Sequence, residues 1–348
     1  MYIKTHKAKR ILIVVDLSHK GIKLFLNQMP KLAKGFIRLG HDARIFSYCN
    51  MFSQVSPFKS KKIKKRFYKK HVDTILQEQI KNYKPDIIYI SFARFLNAET
   101  IEIIRQSAPH AIFIGGDGDP WPKLQAGRIE TAKKLDILTA TNDGQFLQDY
   151  KNAGVPLCVF MPNMCDPDTD HRYNVDDKWK TNILWTGKAK HGADSSETLR
   201  EEIVGKLIKQ KNTSIYGCFG EPQLGGTNYL YAISGAKIGV SINAVNSVRL
   251  YHSDRFTHYT ACGTFTLAKY VPDSELLFKD DIHVKYFKTA EEFFELAKWY
   301  LEHEDQRKKI AQAGLKRAHE QFNCVKITGY ILEAIENGKY SAPWNQKQ

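Results

Sequence analysis

No run of apolar residues in this 348-residue chain approaches the ~20 needed to cross a bilayer. The early run Ile11-Leu12-Ile13-Val14-Val15 stops at Asp16, too short for the core of a secretory signal, and reads as a buried first strand. The six cysteines, Cys49, Cys158, Cys165, Cys218, Cys262 and Cys324, include no CxxC pair and no regular spacing. That argues against a disulfide framework and fits reduced thiols in a cytoplasmic chain. With no HExxH and no clustered cysteines, no metal site is expected. A GxGxxG is missing after the first strand, where Asp16-Leu17-Ser18-His19-Lys20-Gly21 stands, which argues against a dinucleotide-dependent oxidoreductase. Acid is scarce in one half only. Residues 1–165 hold 27 Lys and Arg against 13 Asp and Glu, and the remainder 25 against 24. The net charge of +15 therefore belongs to the N-terminal half, which is suited to an anionic membrane surface, a phosphate-bearing acceptor or nucleic acid.

A chain of this length with 43% hydrophobic residues can bury more than one core. Short β-branched runs alternate with amphipathic stretches, the pattern of parallel sheets covered by helices. Strands are expected at Ile11–Val15, Ala43–Tyr48, Ile87–Ser91, Ala111–Gly115, Ile137–Thr141 and Leu157–Met161, with helices over Leu24–Leu39 and Asn97–Ser107. The polar stretch from Asp166 to Asp177 reads as a linker. A second alternation follows: strands at Ile183–Thr186, Thr213–Tyr216, Ile238–Ile242 and Phe265–Ala268, and helices over Ser196–Gln210, Phe256–Cys262, Ala290–Glu302 and Asp305–Gln321. The expected architecture is α/β, with two Rossmann-like α/β/α domains facing across a cleft. The first spans 1–165, a linker 166–180, the second 181–325, and a helix and tail at 326–348 pack back on the first domain.

The stretch Ser253-Asp254-Arg255-Phe256-Thr257-His258-Tyr259-Thr260-Ala261-Cys262-Gly263-Thr264-Phe265 resembles the donor-site signature of GT-B glycosyltransferases. It is most similar to the CgeB-like (spore maturation protein) branch, whose pattern runs Ser-x-Arg-x-Phe-Glu-x-x-Ala-Cys-Gly. The order of Leu277-Phe278, Tyr286-Phe287, Thr289-Ala290-Glu291-Glu292, Arg307 to Ala311 and Gly314-x-x-Arg317-Ala318 also matches. Upstream, Ile183 to Gly187 and Gly239 to Asn243 fit the family's strand-then-glycine and "Leu-Asn" positions. The resemblance covers about 180–325 well and the first half in outline, through Asp117-Gly118-Asp119-Pro120 and Met161-Pro162-Asn163. It implies metal-independent transfer of a hexose from a nucleotide sugar such as a UDP- or GDP-sugar, with no further cofactor. Donor contacts fall on Gly187, Lys188, Asn243, Arg255, His258, Gly263 and Thr264. A glycine after a strand lets backbone approach a ligand, and fixed cations near helix ends stabilise a departing diphosphate. His258 stands where the family carries a ribose-binding glutamate, and an imidazole accepts through one nitrogen only.

The resemblance places the acceptor, and any base, in the N-terminal half. His19, beside Asp16 in the loop after the first strand, is one candidate, and an exposed loop histidine is its plain alternative. Asp117 and Asp119, in the glycine-rich turn after the fourth strand, form another, or are turn carboxylates bonding their own backbone. The basic run Lys59 to Lys70 holds eight cations, no acid, and interleaved Phe58, Ile63, Phe67 and Tyr68. It suits peripheral contact with the inner face of an anionic membrane and a glycan, lipid-linked or protein acceptor. A nucleic-acid partner, including DNA as the glycosylated acceptor, or a solvated lysine-rich loop are the alternatives. A sugar-nucleotide epimerase of the same fold is a further one.

Overall fold

The structure, a computed structural model, describes residues 7–17, 28–91, 96–118, 126–189 and 196–345. The first domain is a 6-stranded parallel sheet of β1 (Arg10–Val15), β2 (Asp42–Ser47), β3 (Ile87–Ile90), β4 (Ile112–Asp117), β5 (Ile137–Ala140) and β6 (Leu157–Phe160), ordered β2-β1-β3-β4-β5-β6. Its helices are α1 (Gln28–Arg38), α2 (Tyr48–Val55), α3 (Lys61–Tyr83), α4 (Ala98–Ser107), α5 (Ala126–Ala132) and α6 (Gln145–Asn152). The second is a 5-stranded parallel sheet of β7 (Thr181–Thr186), β8 (Thr213–Tyr216), β9 (Ala236–Ser241), β10 (Phe265–Lys269) and β11 (Lys285–Phe287), ordered β11-β10-β9-β7-β8. Around it lie α7 (Ser196–Leu207), α8 (Gly226–Gly235), α9 (Asp254–Ala261), α10 (Ala290–Glu302) and α11 (Glu304–Gln321), and α12 (Cys324–Asn337) closes the chain. Helices on both faces bury the central strands, which is why β1 and β3 read as unbroken Ile/Leu/Val/Tyr runs rather than alternating ones.

In each sheet the second strand pairs on one side of the first and the third strand on the other. The resulting switch points lie between β1 and β3 and between β7 and β9. Open α/β sheets bind ligands outside the carboxyl ends of the strands at such points.

The segment expected as the linker is tied to α1. Lys34 Nζ lies 2.5 Å from Asp166 and Lys31 Nζ 2.6 Å from Asp170, while Arg38 pairs with Asp168. Asp166 and Asp170 are buried, so their charges require these α1 cations. Helix α12 packs on α1 so closely that a Cβ on Gly35 would lie 2.3 Å from the Cys324 carbonyl oxygen. Its Ile327 and Ile331 join the first domain's core, and beyond it Tyr340 donates to the Phe160 carbonyl at the edge of the first sheet. The basic run is no loop: all but its first residues form the exposed opening turns of α3.

Candidate functional site

A cleft of about 890 Å³ opens between the two sheets. The first domain lines it with the carboxyl ends of its strands: Val15 and Asp16 at the end of β1, Tyr89 and Ser91 at β3, Gly116 to Gly118 at β4, and Thr139 to Thr141 at β5. The second domain contributes one continuous piece, Tyr251-His252-Ser253-Asp254-Arg255, which is the entry to α9. Cross-domain bonds set the spacing. Asn163 Nδ2 donates to the His252 carbonyl at 2.7 Å, and Gln28 Nε2 donates to Asp254 Oδ1 at 3.0 Å while its Oε1 accepts from the Met164 N–H.

Arg255 sits at the second sheet's switch point. Its guanidinium donates to the carbonyls of Thr186, the last residue of β7, and Ile242, just past β9, the latter at 2.6 Å. It lies 4.1 Å from the centre of the Trp185 ring. Burial disfavours its charge and lowers its pKa. Gly187, at φ 119°, turns the chain beside it, and a Cβ there would come 2.8 Å from Arg255 Nη1. Only glycine permits both that backbone angle and that approach. Lys188 follows, exposed to solvent.

The first turn of α9 holds polar atoms without partners. Ser253 occupies the N-cap with extended backbone, yet its hydroxyl makes no capping bond. Ser253 Oγ, His252 Nε2 and Arg255 Nε are all buried without a hydrogen-bond partner among the described residues. Three such atoms within four residues are costly unless a ligand satisfies them. The His252 ring stacks on Phe256 at 4.2 Å, and burial holds its pKa down to about 3, so it is neutral. With the N–H groups of the α9 N-terminus and the charge of Arg255 behind it, this corner is suited to an anion. Asn243 braces it from beneath, donating through Nδ2 to the Tyr251 carbonyl and accepting through Oδ1 from the Ser253 N–H.

Not every residue singled out in the sequence reaches the cleft. Gly263 and Thr264 lie past the far, buried end of α9, where Arg172 donates to the Gly263 carbonyl at 2.7 Å and Thr264 donates to the Ile233 carbonyl at 2.6 Å. A helix has two ends, and only the amino end of α9 faces the opening. His258 is also sealed in, its Nε2 3.1 Å from Lys31 Nζ and its Nδ1 3.3 Å from the Tyr229 hydroxyl. Burial and the Lys31 charge lower its pKa to about 3. It joins α9 to α1 across the domains. Asp117 does line the cleft, but Arg128 Nη2 donates to one carboxylate oxygen at 3.3 Å and the Tyr150 hydroxyl to the other at 2.6 Å. It is thereby an anchor for α5 and α6 at the tip of β4. His19 and Asp119 lie outside the described residues. Sequence reasoning passed over His252 and took Ser253 only as the start of the signature, although a serine just before a helical run is a capping signal that marks the turn.

Two parallel α/β domains facing one cleft, with the last helix crossing back onto the first domain, make the GT-B fold of glycosyltransferases. A family model described as glycosyl transferase-like matches residues 194–333, which includes the whole α9 corner. The chain is similar in structure to a glycosyltransferase from Rickettsia africae, at TM-score 0.63 and 13% identity over 95% of this chain and 98% of that one. It is similar to sucrose-phosphate synthase from Thermosynechococcus elongatus, at TM-score 0.63 and 12% identity over 94% and 98%. It is also similar to HepE from Anabaena in complex with UDP-glucose, at TM-score 0.61 and 13% identity over 94% and 99%. No curated protein matches the sequence.

Proposed function

We propose that the protein is a glycosyltransferase that takes a sugar from a nucleotide-sugar donor whose diphosphate lies against the first turn of α9. The observation that carries this reading is the set of unpartnered buried atoms on His252, Ser253 and Arg255, in the segment that the glycosyl transferase-like match covers. The donor's diphosphate accepts from the Ser253 hydroxyl and the helix N–H groups, with Lys188 free to reach it from the Gly187 turn. As the glycosidic bond to phosphate breaks, the Arg255 charge and the helix dipole stabilise the departing nucleoside diphosphate without a metal. A UDP-sugar is the first donor to try, because HepE was captured with UDP-glucose. The acceptor hydroxyl enters along the first domain's strand ends, and within the GT-B group the α9 signature favours the CgeB-like branch. With Asp117 engaged at both oxygens, His19 and Asp119 are the stronger candidates for the base.

The test is turnover of a panel of nucleotide sugars, with and without extracts supplying envelope glycans, lipid-linked saccharides, proteins or DNA as acceptors. Release of nucleoside diphosphate that depends on acceptor is expected. Donor converted to an epimer with no acceptor present would replace transfer by epimerisation, and no consumption of any donor would remove the proposal.

A further inference from the structure

The first domain carries an exposed surface that the donor reading does not use. Phe58, Ile63 and Phe67 are 47%, 39% and 67% exposed, a cluster of large apolar side chains within ten residues of chain. Ile63, Phe67 and Lys70 recur at helical spacing along one side of α3, with Lys62 and Arg66 beside them. The helix's inward stripe is a different one, Val72, Leu76 and Ile80, all fully buried. Phe58, just before the helix, makes an edge contact with Tyr68 at 6.3 Å, and the Arg66 guanidinium lies 5.7 Å from the Phe67 ring centre. Two of the lysines are committed within the fold, Lys69 to Asp73 and Thr100 and Lys64 to Ser53. Lys59, Lys62, Lys65 and Lys70 make no ion pair among the described residues, and no acid lies between Lys59 and Lys70.

We propose that this face of α3 with Phe58 is a docking surface for an anionic lipid bilayer, with Phe58, Ile63 and Phe67 entering the headgroup boundary and the surrounding cations meeting acidic lipid. Cations alone would serve any polyanion. Phenyl rings can stack on bases, but an exposed aliphatic side chain such as Ile63 gains nothing from a base or a phosphate and gains on leaving water for the acyl boundary, which favours the bilayer. Lys65, in the same turns of α3 but on another side of the helix from Ile63 and Phe67, lines the cleft, so the start of α3 reaches the cleft on the side where the first domain's strand ends open. The inference stands apart from the donor reading, since vesicle binding requires no donor.

Flotation of the full chain with phosphatidylcholine vesicles, with and without phosphatidylglycerol, is the test. Binding is expected only where phosphatidylglycerol is present, and it weakens at high salt. Lys62→Gln with Lys70→Gln should weaken it about 30-fold, at about fivefold for each cation near the surface. Ile63→Ser with Phe67→Ser should leave binding that salt abolishes entirely. All four side chains are exposed, so melting temperatures should stay at the wild-type value. No flotation with acidic vesicles, or flotation undiminished in both double variants, overturns the proposal. Binding of a DNA or RNA oligomer that both variants abolish, in the absence of vesicle binding, assigns the face to nucleic acid instead.

Discussion

Replacing Arg255 by alanine separates the brace at the second sheet's switch point from a group that only touches ligand. The guanidinium holds the carbonyls of Thr186 and Ile242 together and stacks on Trp185. Hydrogen bonds to a charged group contribute about 1.5–3 kcal/mol each, and a partly desolvated cation–π contact up to about 2 kcal/mol. Against this, alanine removes a buried charge whose Nε has no partner among the described residues, and it relieves the desolvation that already depresses the arginine's pKa. The net loss is expected at about 2–4 kcal/mol, the range for breaking a buried polar network. At roughly 2 °C per kcal/mol for a chain of this size, the melting temperature should fall by about 4–8 °C. Arg255→Lys should lie between, because an ammonium lacks the planar fork that spans two carbonyls. The assay is thermal unfolding by circular dichroism, with nucleotide affinity measured on the same samples below the transition. An Arg255→Ala protein that melts with the wild type refutes the brace and turns the guanidinium toward the ligand.

Other outcomes follow from the same contacts. Lys31→Met should destabilise by about 3–5 kcal/mol in denaturant melts, because it strands the buried Asp170 carboxylate 2.6 Å from its partner. Gly35→Ala drives a Cβ to 2.3 Å from the Cys324 carbonyl oxygen and should part α12 from α1, read as a lower melting temperature with early loss of protection in α12 by hydrogen exchange. Burial keeps His252 and His258 neutral, with pKa values about 3 against an ordinary 6.5. The unfolded chain therefore binds more protons between those values, so stability is full above pH 6.5 and declines as pH falls toward 3, by up to about 1.4 kcal/mol per unit for each histidine. His252→Phe should flatten that decline in melts across pH, and a slope unchanged by the substitution would deny the buried neutral ring.

Apart from the three-residue β11, both sheets were legible because parallel strands covered on two faces cannot hide: Ile11–Val15 and Ile87–Ile90 are continuous apolar runs, and the structure places β1 and β3 there. Helix α8 was not, since Gly226–Gly235 opens on glycine and carries apolar residues without a charged face. The start of α3 shows no buried stripe because that part buries almost nothing, and its lysines read equally as loop or helix. At the site, the order Ser253 to Thr264 announced a helix and its turn but not which end meets the cleft. That depends on the direction in which α9 packs, and it left Gly263, Thr264 and His258 inside. The tethering of Asp117 was hidden because Arg128 and Tyr150 are 11 and 33 residues away in sequence.

Ser253→Ala tests, with least damage to the fold, whether a nucleotide-sugar diphosphate binds the first turn of α9. The hydroxyl is buried and has no partner among the described residues, so its removal should leave the melting temperature of the free protein unchanged or raised. Titration calorimetry of UDP and UDP-glucose, then of GDP, CDP and TDP with their sugars, into wild type and Ser253→Ala is the measurement. One nucleotide series should bind wild type and lose about 10- to 100-fold in Kd in the variant, the value of one hydrogen bond to a charged group. Equal affinity in both proteins, or no affinity of the wild type for any nucleotide, contradicts it.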